Sequence, residues 1–180
     1  EIAMKKLLTL LVAALCCCQA AWAQTQTMTA QNPVIWADVP DIDVIRVEDS
    51  YYMVSTTMHL MPGVPIMRSK DLVNWEIISY VVPELKDSPQ YDLIGGNVYG
   101  QGQWASSIRY HDGKFYVFFA TNRPPKSYLF SATDPAGKWE KVMDSRVLHH
   151  DTGLLFDDDG KKYIIGGGST VHLQQLKDDL

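Results

Sequence analysis

The chain has 180 residues, a formal net charge of −5 and 21% charged residues. This acidic balance disfavours nucleic acid as a partner, because binding to phosphates needs a basic surface. An aromatic content of 11% is compatible with neutral sugars, whose C–H faces stack on aromatic rings while their hydroxyls bind polar side chains.

Residues 1–23 have the three parts of a secretory signal peptide. Lys5 and Lys6 precede an apolar run over residues 7–18, and small residues at 21 and 23 suit cleavage before Gln24. The run is too short to cross a bilayer as a mature helix, so we expect a secreted or periplasmic protein without a membrane anchor. All three cysteines lie in this run, so the mature chain is expected to lack disulfides.

Residues 24–31 are polar and aperiodic, which is typical of a flexible leader. From about residue 32 the chain consists of short runs rich in Val, Ile, Tyr, Phe and Thr, separated by Asp-Gly, Pro-Gly and Asp-Ser turns. No apolar stripe of helical spacing extends beyond two turns. The pattern therefore predicts an all-β fold.

A strand–turn–strand pattern occurs three times, over residues 41–55, 104–118 and 151–165. Aligning the turn aspartates Asp49, Asp112 and Asp159 gives spacings of 63 and 47 residues and makes positions 41, 104 and 151 equivalent. The outer halves also repeat, since residues 67–75 parallel residues 130–139. Repeated four-stranded units of this size are typical of the blades of a β-propeller.

The blades are predicted over residues 33–82, 104–147 and from about 148, with three strands of the third blade reached by Leu180. That makes about 2.7 blades. Propellers have at least four blades and usually close a ring, so we expect residues 32–180 to be the N-terminal part of a larger propeller.

Several motifs in chain order resemble glycoside hydrolase family 43. They are Val39–Val47, Tyr51–Thr56, Pro62–Ile66, Ser69–Trp75, Trp104-Ala105, and Asp151 ahead of Leu155–Lys161. The resemblance implies a five-bladed β-propeller that acts as a β-xylosidase or α-L-arabinofuranosidase, with inversion, on oligosaccharides derived from xylan or arabinan.

The resemblance also implies three catalytic acids. Asp41 matches the general base, and Asp151, 110 residues later, matches the residue that modulates the pKa of the general acid and orients the substrate. The general acid itself would be a Glu beyond Leu180, so this chain alone is expected to be inactive. Without the repeat, Asp41 would be interpreted as a turn residue. Two other aspartates lie close to it in the sequence. Asp38 is expected in a loop, and Asp43 stands where the family pattern has a small polar residue.

Trp104 and His150 are the predicted substrate-binding residues. Trp104 is interpreted as a platform for the sugar ring, with core packing as the alternative. Arg46 and Arg109 recur between blades and are predicted to form hydrogen bonds between blades rather than to bind substrate.

No metal ligand is predicted in this chain. The run Asp157–Gly160 lacks the spaced oxygen ligands of a calcium loop and is interpreted as a hairpin turn. His149 and His150 have no cysteine or spaced histidine partner for zinc. A structural calcium ion in the complete propeller stays compatible with the resemblance.

Two alternative functions are associated with the same type of fold. A non-catalytic carbohydrate-binding propeller would keep Trp104 and the blades but lack the distal acid. A retaining, sucrose-processing propeller is disfavoured, because its Asn-Asp-Pro-Asn motif is replaced here by Val39–Ile42. Met58–Met61 replaces a more aromatic stretch of the family pattern, which leaves the choice between xylose and arabinose open.

Overall fold

A computed structural model of the protein describes residues 29–177. Contacts divide the chain into two units, Glu1–Asn32 and Pro33–Leu180. The predicted signal peptide lies outside the described residues, and residues 29–32 of the first unit contain neither helix nor strand. Within the described part of the chain, no helix has the length and apolarity needed to cross a bilayer.

Between residues 29 and 177, eleven strands form three antiparallel sheets in chain order. The first sheet contains β1 (Asp43–Val47), β2 (Ser50–Val54), β3 (Gly63–Ser69) and β4 (Glu76–Val82). The second contains β5 (Gln103–His111), β6 (Lys114–Thr121), β7 (Lys126–Ala132) and β8 (Glu140–Ser145). The third contains β9 (Gly153–Phe156), β10 (Lys162–Gly166) and β11 (His172–Gln175). A short 3-10 helix, Pro89–Asp92, lies between β4 and β5.

The all-β prediction and the count of about 2.7 blades are confirmed. Each sheet is a meander, in which every strand pairs with the next strand in the chain. This topology is expected where short turns connect strands of alternating polar and apolar residues. Asp157–Gly160 forms the predicted hairpin turn, in which the Gly160 amide donates to the Asp157 carbonyl. Gly160 has a φ of +83°, which explains the glycine at that turn position.

The core consists of two layers, one on each face of the second sheet. Alternation along β6 directs Val117 and Phe119 into a cluster with Val54 and Ile66 of the first sheet. Phe118, between them, packs in the other cluster, with Leu154, Ile164 and Leu176 of the third blade. Burying one such side chain stabilises the fold by about 1.5–3 kcal/mol, so this alternation is what stacks one blade on the next.

The register of the first hairpin corrects one predicted equivalence. Val47 pairs with Ser50 in the first blade and His111 with Lys114 in the second, an offset of 64 residues. The 63-residue offset taken from the turn aspartates was therefore wrong by one residue. The first turn position, which has positive φ in both hairpins, holds Glu48 in the first blade and Asp112 in the second.

With the observed offset, position 41 corresponds to Ala105 rather than to Trp104. The third blade keeps the predicted offset of 110 on its first strand, where Phe156 corresponds to residue 46. Its second strand is offset by 111, since Lys162 corresponds to Tyr51 and the turn is one residue longer. Positions 41 and 151 thus lie two residues before the first strands of their blades, whereas position 105 is the third residue of β5.

Candidate active site

The two predicted catalytic aspartates share an uncommon backbone conformation. Asp41 has a φ of 51° and Asp151 a φ of 45°, each two residues before the first strand of its blade. Non-glycine residues rarely adopt this left-handed region, and Asp is one of the few that tolerate it. The repeat therefore extends to backbone geometry at these two positions.

Equivalent hydrogen bonds hold the two turns. The carbonyl of Pro40 accepts from the Thr56 amide at 3.0 Å, and the carbonyl of His150 accepts from the Gly167 amide at 2.8 Å. A Cβ on Gly166 would overlap the Thr152 hydroxyl and crowd the His150 carbonyl, so a side chain there would displace this turn. Each aspartate is thereby held against the end of the second strand of its own blade.

Asp41 and Asp151 line the same shallow, open cleft, which has a volume of about 300 Å³. Its walls come from the starts of all three first strands. The lining residues are Asp41–Asp43, Ala105–Ser107, Arg109 and Asp151–Gly153. Two carboxylates separated by 110 positions in the sequence thus open into one concavity beside a backbone with small side chains.

The carboxylates differ in their immediate partners. Asp41 Oδ2 accepts a hydrogen bond from the Thr56 hydroxyl at 2.9 Å, which orients its carboxylate. Asp151 Oδ1 lies 3.4 Å from His150 Nδ1, outside hydrogen-bond geometry, and the Asp151 side chain is 62% exposed. Both carboxylates can therefore meet a small polar molecule in the cleft.

Trp104 and His150 lie together, one residue before the cleft positions of their blades. Their ring centroids are 5.5 Å apart with an interplanar angle of 54°. The Trp104 indole donates to the Gly100 carbonyl at 3.0 Å. Trp104 therefore stands beside the cleft, at the position equivalent to Pro40, whereas the sequence alignment had put it at the position of the acids.

Asp43 joins all three blades. Its Oδ2 accepts from the Ser107 hydroxyl at 3.1 Å, from the Ile108 amide at 2.9 Å and from Arg109 at 2.6 Å. The Ser107 oxygen in turn accepts from the Leu154 amide of the third blade at 3.1 Å. The sequence interpretation of Asp43 as a mere replacement missed this role.

The two predicted bridging arginines behave differently. Arg109 does form the expected contact between blades, through Asp43. Arg46 instead donates to the Glu48 carbonyl and lies over the Tyr51 ring, both in its own blade. Among the described residues Arg46 therefore does not form the predicted contact between blades. The observed offset makes Arg46 equivalent to Tyr110, so the two arginines do not occupy equivalent positions.

Gln103 was missed by sequence reasoning. It is completely buried, and its Oε1 accepts from the Thr57 amide at 2.7 Å and the Thr57 hydroxyl at 3.0 Å. Its Nε2 donates to the Trp104 carbonyl and to the Ser106 hydroxyl. A glutamine beside a Trp-Ala pair in a buried strand was the only sequence signal.

A more apolar groove of about 380 Å³ lies elsewhere, between residues 34–39 and the outer part of the first blade, including Trp75. Asp38 is the one titratable residue that lines it, and Asp38 lies in an irregular segment as predicted. The cleft with Asp41 and Asp151 is the better candidate for acid–base chemistry, since it brings carboxylates together.

A metal site does not fit the donors in the described part of the chain. No group of three or more His, Cys, Asp or Glu side chains between residues 29 and 177 is arranged to hold an ion.

Comparison with known proteins identifies the family to which this chain is similar. The family model described as Glycosyl hydrolases family 43 matches residues 30–180. The chain is 35% identical to a β-xylosidase of Formosa agariphila, covering 81% of this chain and 25% of that protein. It is 36% identical to a non-reducing end α-L-arabinofuranosidase of Bacteroides ovatus, covering 76% of this chain and 26% of that protein.

A solved structure of the same family is also similar to this chain. A bifunctional GH43-CE protein of Bacteroides eggerthii superimposes with a TM-score of 0.77 at 43% identity, covering 82% of this chain and 20% of that chain. The chain thus spans about a quarter of the length of the curated relatives it matches.

Proposed function

The chain belongs to glycosyl hydrolases family 43, and from this premise we propose that it forms part of a secreted, inverting glycosidase. Its substrates are oligosaccharides derived from xylan or arabinan, as the names of the β-xylosidase and arabinofuranosidase relatives suggest. One observation carries the proposal: two aspartates in the same left-handed conformation open into one cleft.

In the proposed reaction Asp41 is the general base. Inversion needs a carboxylate that removes a proton from water while the water attacks the anomeric carbon, with a carboxylic acid about 6.5–9.5 Å away that protonates the leaving oxygen. The Thr56 hydroxyl holds Asp41 Oδ2, which leaves Oδ1 for the water. The acid comes, in this proposal, from another part of the protein.

Asp151 has two roles in this scheme. Its negative charge would raise the pKa of a neighbouring acid by repulsion and keep that acid protonated near neutral pH. Its exposed oxygens would also accept hydrogen bonds from sugar hydroxyls, with Trp104 and His150 as the adjoining wall.

Replacing Asp41 by Asn in the full-length protein tests the proposal. The change keeps the shape of the side chain but removes the proton acceptor, so kcat on aryl β-xylosides or aryl α-L-arabinofuranosides should fall by about 10²–10⁴-fold. NMR of the first-formed sugar should show the inverted anomer with the unmodified enzyme.

Asp38→Asn is the matched control, because Asp38 lies outside the cleft, and it should leave kcat nearly unchanged. Asp151→Asn should move the alkaline limb of the pH–rate profile to lower pH, since the acid loses its like-charged neighbour. Turnover at the unmodified rate in Asp41→Asn would contradict the assignment. Binding of sugar without turnover by the full-length protein would favour the carbohydrate-binding alternative.

A further inference from the structure

His59 and Tyr99 form a ring pair outside the cleft. His59 belongs to the loop between β2 and β3, and Tyr99 to the connection between β4 and β5. Their ring centroids are 4.6 Å apart with an interplanar angle of 42°. Tyr99 is 77% exposed, so most of its surface is open to a ligand.

This pair is linked to the cleft through one peptide. The Gly100 amide donates to His59 Nδ1 at 3.3 Å, and the Gly100 carbonyl accepts from the Trp104 indole at 3.0 Å. Trp104 contacts His150, which precedes Asp151. An aromatic rim, defined as Tyr99, His59, Trp104 and His150, thus consists of two ring pairs that the Gly100 peptide joins, and its Trp104–His150 pair lies beside the cleft.

The rim is anchored by buried polar contacts. Met58 and Gln103 exchange two backbone hydrogen bonds, of 2.9 and 2.7 Å, and the buried Gln103 amide holds Thr57. A Cβ on Gly102 would overlap the Met58 carbonyl, so the two backbones touch closely. Ordering these rings in advance lowers the entropic cost of binding a ligand.

We propose that His59 and Tyr99 form a second sugar-binding subsite, which contacts a sugar unit beyond the one held between Asp41 and Asp151. The inference rests on the proposed function, because it takes the cleft as the place of the first sugar. Rings with an apolar face and a polar edge match the alternating C–H and hydroxyl surfaces of a sugar, and continuity with the cleft favours an oligosaccharide over an unrelated partner.

Calorimetric titration of the full-length protein tests this subsite. In the Asp41→Asn background, which prevents turnover, the probes are methyl β-xyloside and methyl α-L-arabinofuranoside, which fill one sugar position, and xylotetraose and arabinotetraose, which extend beyond it. The preferred tetrasaccharide should bind at least several-fold more tightly than its methyl glycoside. Tyr99→Ala should reduce that advantage by about 5–10-fold while the affinity for the methyl glycoside stays within 2-fold.

Tyr110→Ala is the matched control, because Tyr110 is a half-exposed tyrosine near the other end of the strand that bears Trp104, and it should change neither affinity. An undiminished tetrasaccharide advantage in Tyr99→Ala, an equal loss for both ligands, or no binding of either tetrasaccharide to the parent would overturn the subsite. Turnover by the protein with Asp41 intact is measured separately, so failure of the proposed hydrolysis is distinguishable from failure of the subsite.

Discussion

At the scale of a single residue, Gln103 links the loop after β2 to the strand that bears Trp104. Its side-chain amide accepts two hydrogen bonds and donates two, and the side chain has no exposed surface. Removing one partner from a buried hydrogen bond costs more free energy than the bond contributes, because the remaining group is then buried with neither a protein partner nor water. Much of the local stability beside the cleft therefore depends on this side chain.

Gln103→Met should lower the free energy of unfolding by about 2–3 kcal/mol, since methionine fills a similar volume but leaves the Thr57 amide and the Ser106 hydroxyl without their partner. Denaturant unfolding of the full-length protein measures the change. Gln101→Met, at a half-buried glutamine two residues earlier, should stay within about 0.5 kcal/mol. Equal effects of the two substitutions would show that the amide contacts contribute little.

At the scale of an element, the connection between β4 and β5 is held to the second blade by Asp87. This carboxylate accepts from Lys126 Nζ at 2.5 Å and from the Tyr128 hydroxyl at 2.7 Å. Burial alone would raise the pKa of Asp87, but the hydrogen bonds from Lys126 and Tyr128 outweigh it and lower that pKa. Burial, followed by the bond to Asp87, raises the pKa of Tyr128.

Asp87→Asn should therefore destabilise the protein by about 2 kcal/mol at pH 7. Because the folded pKa of Asp87 lies below its ordinary value of 3.8, its contribution is present above that pH and is lost as the pH falls through the folded pKa. The hydrogen bond to Asp87 raises the pKa of Lys126, so the pair also weakens as the pH rises past 10.5.

The measurement is the midpoint of thermal unfolding as a function of pH. The difference between the unmodified protein and Asp87→Asn should be largest between about pH 4 and 10 and should shrink at both ends. Asp92→Asn, at an exposed aspartate in the same connection, provides the control. A difference that does not vary with pH would argue against an ionised Asp87.

At the scale of the whole molecule, Asp43 and Ser107 join blades that have no strand pairing with each other. No named strand of one sheet pairs with a strand of another, so the blades are attached by the two apolar layers, by bonds between loops and strands such as those of Met58 with Gln103, and by the chain of bonds from Leu154 through Ser107 to Asp43. Arg109 adds an ion pair that is partly exposed, with 36% of the arginine and 28% of the aspartate side chain accessible. Solvent screens the attraction between the two charges, so the pair contributes to the attachment of the blades more through its hydrogen-bond geometry than through its charge.

A double-mutant cycle of Asp43→Ala and Ser107→Ala should give a coupling free energy of about 1 kcal/mol, because each single substitution removes the same bond between blades. Unfolding of the full-length protein supplies the four stabilities. Asp43→Ala with Arg46→Ala should be additive, since Arg46 contacts only its own blade among the described residues. A coupling near zero for Asp43 and Ser107 would mean that this bond contributes little to the attachment of the blades.

The sequence by itself determined the features that depend on short-range pattern. Strand alternation and tight turns specified an all-β chain of three successive units, and the repeat identified Asp41 and Asp151 as equivalent positions. Both inferences survive small errors in alignment, because they rest on motifs that recur within each blade.

Tertiary structure alone decided which residues meet. The alignment of Trp104 with the two aspartates was wrong by one residue. Such a shift moves a side chain to the other face of a strand, and only the observed pairing of the hairpin fixes that register. Gln103 with Thr57, Asp43 with Arg109 and His59 with Tyr99 are separated by 40–66 positions in the chain. Their contacts follow from how whole blades pack, which local sequence pattern does not encode.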